Sequence, residues 1–274
     1  MRSAVVTGAS TGIGRACALL LHSKGWMVFA GVRRDEDAAA LREQTSERLH
    51  PLRLDVTEPE QIAAAAERVA AAVGQSGLDG LVNNAGIAVA GPLEFVPPAE
   101  LRRQLDVNVV GQVAVTQPLI PLLRRARGRI VNIGSVSGLV AAPFMAPYAA
   151  SKFALEAVTD ALRLELAPWG VGVVIVEPGT VATPIWDKSS AALTYPPAAQ
   201  ALYSPTFDKL RDAAVASGKR GLPPERVAAV VLEALTAERP RTRYVVAPGG
   251  AAVSLLRHLP DRTRDSLVTR RMSR

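Results

Sequence analysis

A single cysteine, Cys17, stands in 274 residues. No disulfide can form within the chain, so stability has to come from a packed core, and Cys17 itself is read as a packing residue of the first helix. Histidine is nearly as scarce. His22, His50 and His258 are scattered without metal-ligand spacing, and no metal is expected. No run of 18 uninterrupted apolar residues occurs, which argues against a membrane-spanning helix. Linkers, internal repeats and low-complexity stretches are also missing, so residues 1–274 are expected to form one domain. The first residues pass straight into an apolar strand and a glycine loop. No signal peptide is read there, and residence in the cytoplasm is the default expectation.

What the chain does have is apolar residues, at 49% ample for a core, and a net charge of +7. The charge is unevenly spread. The tail over residues 250–274 holds six arginines and two aspartates, so much of the excess is a terminal feature. No nucleic-acid module accompanies it, and the expectation is no nucleic-acid partner and at most peripheral membrane contact through the tail.

Strand and helix patterns alternate from the start. Residues 3–7 (SAVVT) form a short apolar strand that runs into TGASTGIG at 7–14 and then a helix to about residue 23. Glycines at 8, 12 and 14 permit a tight turn and let an anion approach the helix N-terminus, where unpaired N–H groups and the helix dipole favour it. A second strand is read at 26–31. No acid stands at its end to claim a ribose hydroxyl; Arg33 and Arg34 follow instead, with Asp35 behind them. Two guanidinium groups suit a 2′-phosphate, whereas surface arginines on a loop are the alternative. A third strand at 52–54 ends in Asp55-Val56, where the aspartate either meets a ligand amino group or caps the next helix, at 59–73. The strand at 80–82 ends in Asn83-Asn84-Ala85-Gly86, a turn composition. Asn108 falls inside a helix read over 100–111, where it is unfavourable unless it holds a neighbouring backbone or a water. A strand at 129–133, a helix to residue 167 and a continuous apolar strand at 171–176 complete the pattern. Such alternation predicts an α/β fold, a Rossmann-like doubly wound parallel sheet with helices on both faces.

The stretch from Ser135 to Lys152 carries chemistry. Tyr148 and Lys152 are four residues apart and share one face of a helix. A lysine ammonium beside a phenol favours the phenolate, and Ser135, at the end of a strand, offers a hydroxyl to a substrate oxygen. Taken alone, the triplet is equally a helix start with a half-buried tyrosine and a solvated lysine.

Joined to the other pieces, it resembles the short-chain dehydrogenase/reductase family. The matching elements are TGASTGIG at 7–14, Asp55, NNAG at 83–86, Asn108, Ser135, Tyr148-x-x-x-Lys152 and PGTVAT at 178–183, in the family's order. The stretches at 126–135 and 176–184 are similar to the branch containing retinol and hydroxysteroid dehydrogenases. The resemblance implies that Tyr148 is the general acid/base, that Lys152 lowers its pKa and holds the nicotinamide ribose, that Ser135 positions the substrate oxygen, and that Asn108 anchors a water. It further implies Gly8, Gly12 and Ile13 at the pyrophosphate, Asp55 and Val56 at adenine, Asn83 and Ala85 on the adenosine side, and Val181 and Thr183 at the nicotinamide amide. Ser10, Thr11, Gly14, Gly86, Pro178 and Gly179 complete the implied cofactor set, with Arg33 and Arg34 favouring NADP and NAD as the alternative.

Residues 186–207 hold Trp186, Tyr195, Tyr203 and Phe207, four of the chain's twelve aromatics, together with Pro196, Pro197 and Pro205. The segment 184–222 is read as a lid that, with residues 138–147, covers an apolar pocket for a bulky alcohol or ketone. The alternative is a helical insertion packed onto the body. A homodimer or homotetramer is the family expectation. The competing functional reading is a non-catalytic dinucleotide sensor or scaffold on the same fold, against which the intact Ser–Tyr–Lys set argues.

Overall fold

The computed structural model describes residues 1–44, 47–185, 196–204, 207–209, 212, 216 and 220–272. Trp186, Tyr195 and Pro205, part of the expected lid, lie outside the described residues. Seven strands form one sheet: β1 (Ser3–Val6), β2 (Met27–Val32), β3 (Leu49–Arg53), β4 (Gly80–Asn83), β5 (Arg129–Ile133), β6 (Gly172–Pro178) and β7 (Arg243–Val246). Their order is β3-β2-β1-β4-β5-β6-β7, and every neighbouring pair is parallel. The chain leaves β1 toward one edge and returns to pair β4 on the other side of it. That reversal opens a crevice beyond the carboxyl ends of β1 and β4, the place where such sheets bind ligands.

Alternation within each strand divides the core between the two faces. Ala4, Val6, Val28 and Ala30 pack with α1 (Gly12–Ser23) on one side. Val5, Phe29 and Leu81 pack on the other with α3 (Pro59–Val73) and α5 (Gly111–Ala126). Helices α2 (Asp35–Arg42) and α4 (Pro98–Leu105) fill the intervening crossovers. Helix α6 (Ala146–Leu166) spans 21 residues and packs against β6. The short α7 (Pro197–Tyr203) lies within the 184–222 segment, and α8 (Pro224–Thr236) buries Val227, Ala228, Val231, Ala234 and Leu235 on the face shared with α1. Helices α9 (Gly250–Leu256) and α10 (Asp261–Met272) end the described chain. Among the described residues no helix is long and apolar enough to cross a membrane.

Two elements depart from the sequence expectation. Strand β3 begins at Leu49, not Leu52, with Pro51 inside it. The strand lies at the sheet edge, where proline's missing N–H is tolerated, and His50 stacks on Phe29 at 5.4 Å between ring centroids. The helix expected over 100–111 is interrupted. Residues Asp106–Val110 form one π-helical turn between α4 and α5, and this wider turn carries Asn108 fully into the interior.

Candidate active site

The crevice is fastened at its base by the residues that end β1 and β4. Thr7 Oγ1 accepts from the backbone N–H of Asn84 and of Ala85, both at 2.9 Å. Asn84 Nδ2 donates to the carbonyls of Thr7 (2.9 Å) and Gly8 (3.1 Å). The glycine loop is thereby held against the NNAG turn, and the contact leaves no room for side chains. A Cβ on Gly14 would lie 2.3 Å from the Gly8 carbonyl oxygen, and one on Gly8, whose φ is +65°, would lie 2.9 Å from Ala85 Cα. Gly12, at φ +56°, faces Thr183, whose Cγ2 would be 2.8 Å from an added Cβ. The loop therefore touches both the NNAG turn and the segment following β6. Thr11 occupies the cap position of α1 without a side-chain bond to the first turn, and no acid lies in that turn.

Ser135, Tyr148 and Lys152 reach one pocket of about 160 Å³ from two elements. Ser135 follows β5 and accepts at Oγ from the N–H of Ser137 at 3.1 Å. Tyr148 lies in the first turn of α6, and its phenol hydrogen-bonds Ser135. One turn on, Lys152 Nζ donates to the Ile133 carbonyl at 2.7 Å and stands 5.7 Å from the centroid of the Tyr148 ring. All three side chains are buried.

Burial sets the titration of both ionisable groups. It pushes the Tyr148 phenol above its ordinary value, against the smaller opposing effect of the Ser135 hydrogen bond. It pushes the Lys152 ammonium down to about 8, against the attraction of Glu156. The Tyr148–Lys152 spacing had suggested a depressed phenol. In the protein alone the direction is the reverse, because loss of water disfavours both charged forms and the ammonium is turned to a backbone carbonyl.

Asn108 holds backbone, one of the two roles expected of it. Its Oδ1 accepts from Ile87 N–H at 2.9 Å, and its Nδ2 donates to the Ile87 carbonyl at 3.0 Å and to Ser151 Oγ at 3.1 Å. Gln104 assists from α4, accepting from Val89 N–H at 2.6 Å and donating to the same Ile87 carbonyl at 2.9 Å. Together they fix the wall of the pocket at Ile87 and tie it to α6.

Of the residues expected from sequence, Ile13, Gly86, Pro178, Gly179, Val181 and Thr183 line this pocket beside Ser135, Tyr148 and Lys152. Gly8, Ser10, Thr11, Gly12 and Gly14 form the neighbouring loop and helix start. Ala85 walls that loop and is anchored by Gln112 Nε2, which donates to its carbonyl at 3.1 Å. Asn83 is not brought to the pocket. Its amide is buried behind the sheet's end, donating to Thr116 Oγ1 at 2.8 Å and Asn132 Oδ1 at 3.0 Å. Asn84 lines the pocket in its place. Val56 is also turned inward, against the position where Gly111 would carry a Cβ, 2.7 Å from its Cγ2. Asp55 secures its own turn, accepting at Oδ1 from Thr57 N–H (3.0 Å) and Thr57 Oγ1 (2.8 Å). Arg33 follows β2 with its side chain 65% exposed and NH1 4.0 Å from Asp55 Oδ2. Arg34 is engaged by Asp37 through two bonds of 3.0 and 3.1 Å, and Asp35 is paired with Arg53 at 3.1 Å.

Thr7, Asn84 and Gln104 were missed from the sequence. Thr7 and Asn84 stood inside recognised stretches, but their work is done by pairing loops 77 residues apart, which no local pattern announces.

The sequence pattern of the short chain dehydrogenase family matches residues 2–194. This chain belongs to that family. Among its relatives, the NADPH-dependent 3-dehydrocapnine reductase of Ornithobacterium rhinotracheale is 41% identical over 273 residues, covering 97% of this chain and 96% of the relative. Retinol dehydrogenase 5 of Mus musculus is 41% identical over 281 residues, covering 96% and 86%. The crystal structure of a short-chain dehydrogenase from Burkholderia cenocepacia in complex with NADP superposes with a TM-score of 0.75 at 27% identity, covering 98% of this chain and 99% of that one. As a short-chain dehydrogenase the protein is an NAD(P)-dependent oxidoreductase. The residues present fit a dinucleotide: the cradle at Gly8, Gly12 and Gly14 excludes side chains where a pyrophosphate would approach backbone, and α1 begins there with its first turn free of acids.

Proposed function

We propose that the protein transfers hydride between NADP(H) and a hydrophobic alcohol or carbonyl compound, with Tyr148 moving the proton. The observation that carries this reading is the meeting of Ser135, Tyr148 and Lys152 on one buried pocket beside the glycine cradle. A bound nicotinamide supplies or takes the hydride; the chain supplies everything else. Tyr148, protonated because burial raises its pKa, gives its proton to a carbonyl oxygen in the reducing direction. Ser135 holds that oxygen and shares the charge that develops on it. Lys152 places a cation beneath the site, and Asn108 and Gln104 keep the Ile87 wall from yielding.

The preference for NADP rests on Arg33. The side chain is exposed at the end of β2, and no carboxylate precedes it to claim a ribose hydroxyl or repel a phosphate. Asp35, the acid nearest in sequence, is directed to Arg53. Arg34 is committed to Asp37, which leaves one guanidinium where two were expected. A single charge-assisted contact supports roughly a tenfold to hundredfold preference.

The apolar substrate is inferred from an aromatic cluster that joins the 138–147 loop to the 184–222 segment, which this reading takes as the cover of the site. Phe144, from the 138–147 loop, meets Tyr203 edge-on at 5.9 Å and Phe207 at 5.4 Å, and Tyr203 in turn meets Phe95 at 6.1 Å. Phe144 sits at φ +64°, a conformation costly for a bulky residue and one that its ring contacts and the bond from Gly91 N–H to its carbonyl (2.7 Å) hold in place. The reading is tested by following NADPH and NADH oxidation with steroid, retinoid and aliphatic carbonyls. Turnover of at least one apolar carbonyl with NADPH favoured is the expected result; no turnover across the panel with a cofactor still bound would return the chain to the sensor reading, and with neither cofactor bound to the scaffold reading.

A further inference from the structure

Behind the pocket lies a buried acidic pair that the scheme above does not use. Helix α6 places Lys152, Glu156 and Asp160 at successive four-residue steps on one face. Glu156 packs beneath the loop that presents Ser135, its Oε1 3.3 Å from where Gly134 would carry a Cβ and its Cγ 3.3 Å from the same point on Gly138. Glu177, in β6, is wholly buried, neither of its carboxyl oxygens nor Glu156 Oε1 has a hydrogen-bond partner among the described residues, and both side chains face the one guanidinium of Arg243. Two carboxylates have only acceptors to offer each other, and charging both would leave one buried anion without a hydrogen-bond donor, a cost that one proton held by the pair removes.

The surrounding charges decide which. Arg243, in β7, donates through NH2 to Glu156 Oε2 at 3.0 Å and to Asp160 Oδ2 at 2.8 Å, while its Nε remains 3.9 Å from Glu177 Oε1. Asp160 is further paired with Arg163 at 2.7 Å. Arg257, at the end of α9, attracts Glu177 from a distance. Glu156 therefore has a guanidinium in hydrogen-bond contact and Glu177 has none. The cations that act on Glu177 are Arg243, already engaged by Glu156 and Asp160, and the more distant Arg257, while Lys152 is coupled to the pair through Glu156. The titration directions agree: burial and the charge of Glu156 push Glu177 up to about 8, and Glu156 in turn raises the Lys152 ammonium.

We propose that Glu156 and Glu177 share one proton as a carboxyl pair that regulates the charge of Lys152, Glu156 acting as a positioning residue for the ammonium and Glu177 as the group that releases the proton. As pH rises through the transition of Glu177, the pair gains a second negative charge one helical turn behind Lys152. The ammonium is then retained to higher pH than its burial alone would permit. The consequence for catalysis rests on the proposed role of Lys152, but the coupling does not.

The chain has five lysines, so the ε-carbon of Lys152 can be followed by NMR in protein carrying 13C-lysine, assigned by its loss in Lys152→Met. The titration needs neither substrate nor cofactor. Glu156→Gln is expected to move the Lys152 midpoint toward acid by about one pH unit, the size of effect that removing an adjacent opposite charge produces. Glu177→Gln should move it the same way by less, and Glu156→Asp should recover part of the loss. Should Glu156→Gln fail to fold, wild type against Glu177→Gln carries the test. An identical Lys152 midpoint in the wild type and every folded variant overturns the proposal and leaves the pair as packing. That outcome would not touch the function proposed for Tyr148, which fails instead if Tyr148→Phe turns over normally.

Discussion

At the scale of single residues, the site is governed by loss of water. Tyr148 and Lys152 are both buried, and burial moves each pKa toward its neutral form. Ser135 is the group that draws the phenol downward, so Ser135→Ala should raise the basic transition of alcohol oxidation as well as slow it. Stopped-flow rates across pH check this; a slower enzyme with an unmoved transition would make Ser135 a substrate holder only. Lys152→Ala should also raise that transition, because the phenol loses its nearby cation, and should weaken NADPH binding about tenfold, one charge-assisted hydrogen bond. The sign follows from charge: removing a cation makes the phenolate harder to form, so the limb moves to higher pH. Isothermal titration together with the pH–rate profile separates the two effects, and unchanged affinity would remove the ribose from its duties.

At the scale of elements, the carboxyl ends of β1 and β4 are one fastened unit. Gly14→Ala would drive a methyl group into the Gly8 carbonyl at 2.3 Å and the Asn84 amide at 2.4 Å. Backbone has to shift, and a loss of roughly 1 to 3 kcal/mol in urea unfolding is expected, with weaker cofactor binding. A variant as stable as the parent would mean the loop has slack. At the end of β2, Arg33→Asp should abolish or invert the preference for NADPH over NADH. Equal affinities in the natural protein would make Arg33 a surface charge.

Much of this was legible beforehand, for physical reasons that differ by element. Strands buried on both faces, such as β1 and β6, read as apolar runs, and the glycine spacing marked the turn between β1 and α1. Edge strands hid. Pro51 masked the first half of β3, and β7, four residues with an arginine at its head, offered no apolar run to notice. The π turn at Asn108 escaped because its residues look helical and the extra residue is set by tertiary contacts to Ile87 and Ser151. Ser135, Tyr148 and Lys152 were recognisable by spacing. The raised phenol was not, since burial is a property of the folded chain, and neither was the Glu156–Glu177–Arg243 cluster, which three separate elements assemble.

Across the whole molecule, the crevice at the sheet's reversal receives the glycine loop, and the aromatic cluster of Phe144, Tyr203 and Phe207 joins the 138–147 loop to the segment after β6. Phe144→Ala removes two edge-on ring contacts, each about 0.5–1.5 kcal/mol beyond its area. The expected outcome is a KM for bulky apolar carbonyls raised several-fold, with kcat for small ones little changed; a uniform loss for all substrates would indicate damage to the fold of the loop instead. The central claim, that Tyr148 moves the proton for hydride transfer in this pocket, is tested most directly by Tyr148→Phe. The variant's NADPH dissociation constant and its kcat are measured side by side with the parent's on a carbonyl that the parent reduces. The account predicts near-parental NADPH binding with kcat reduced at least about 100-fold, the low end for general acid–base catalysis. Turnover close to the parent's, with NADPH still bound, would contradict it.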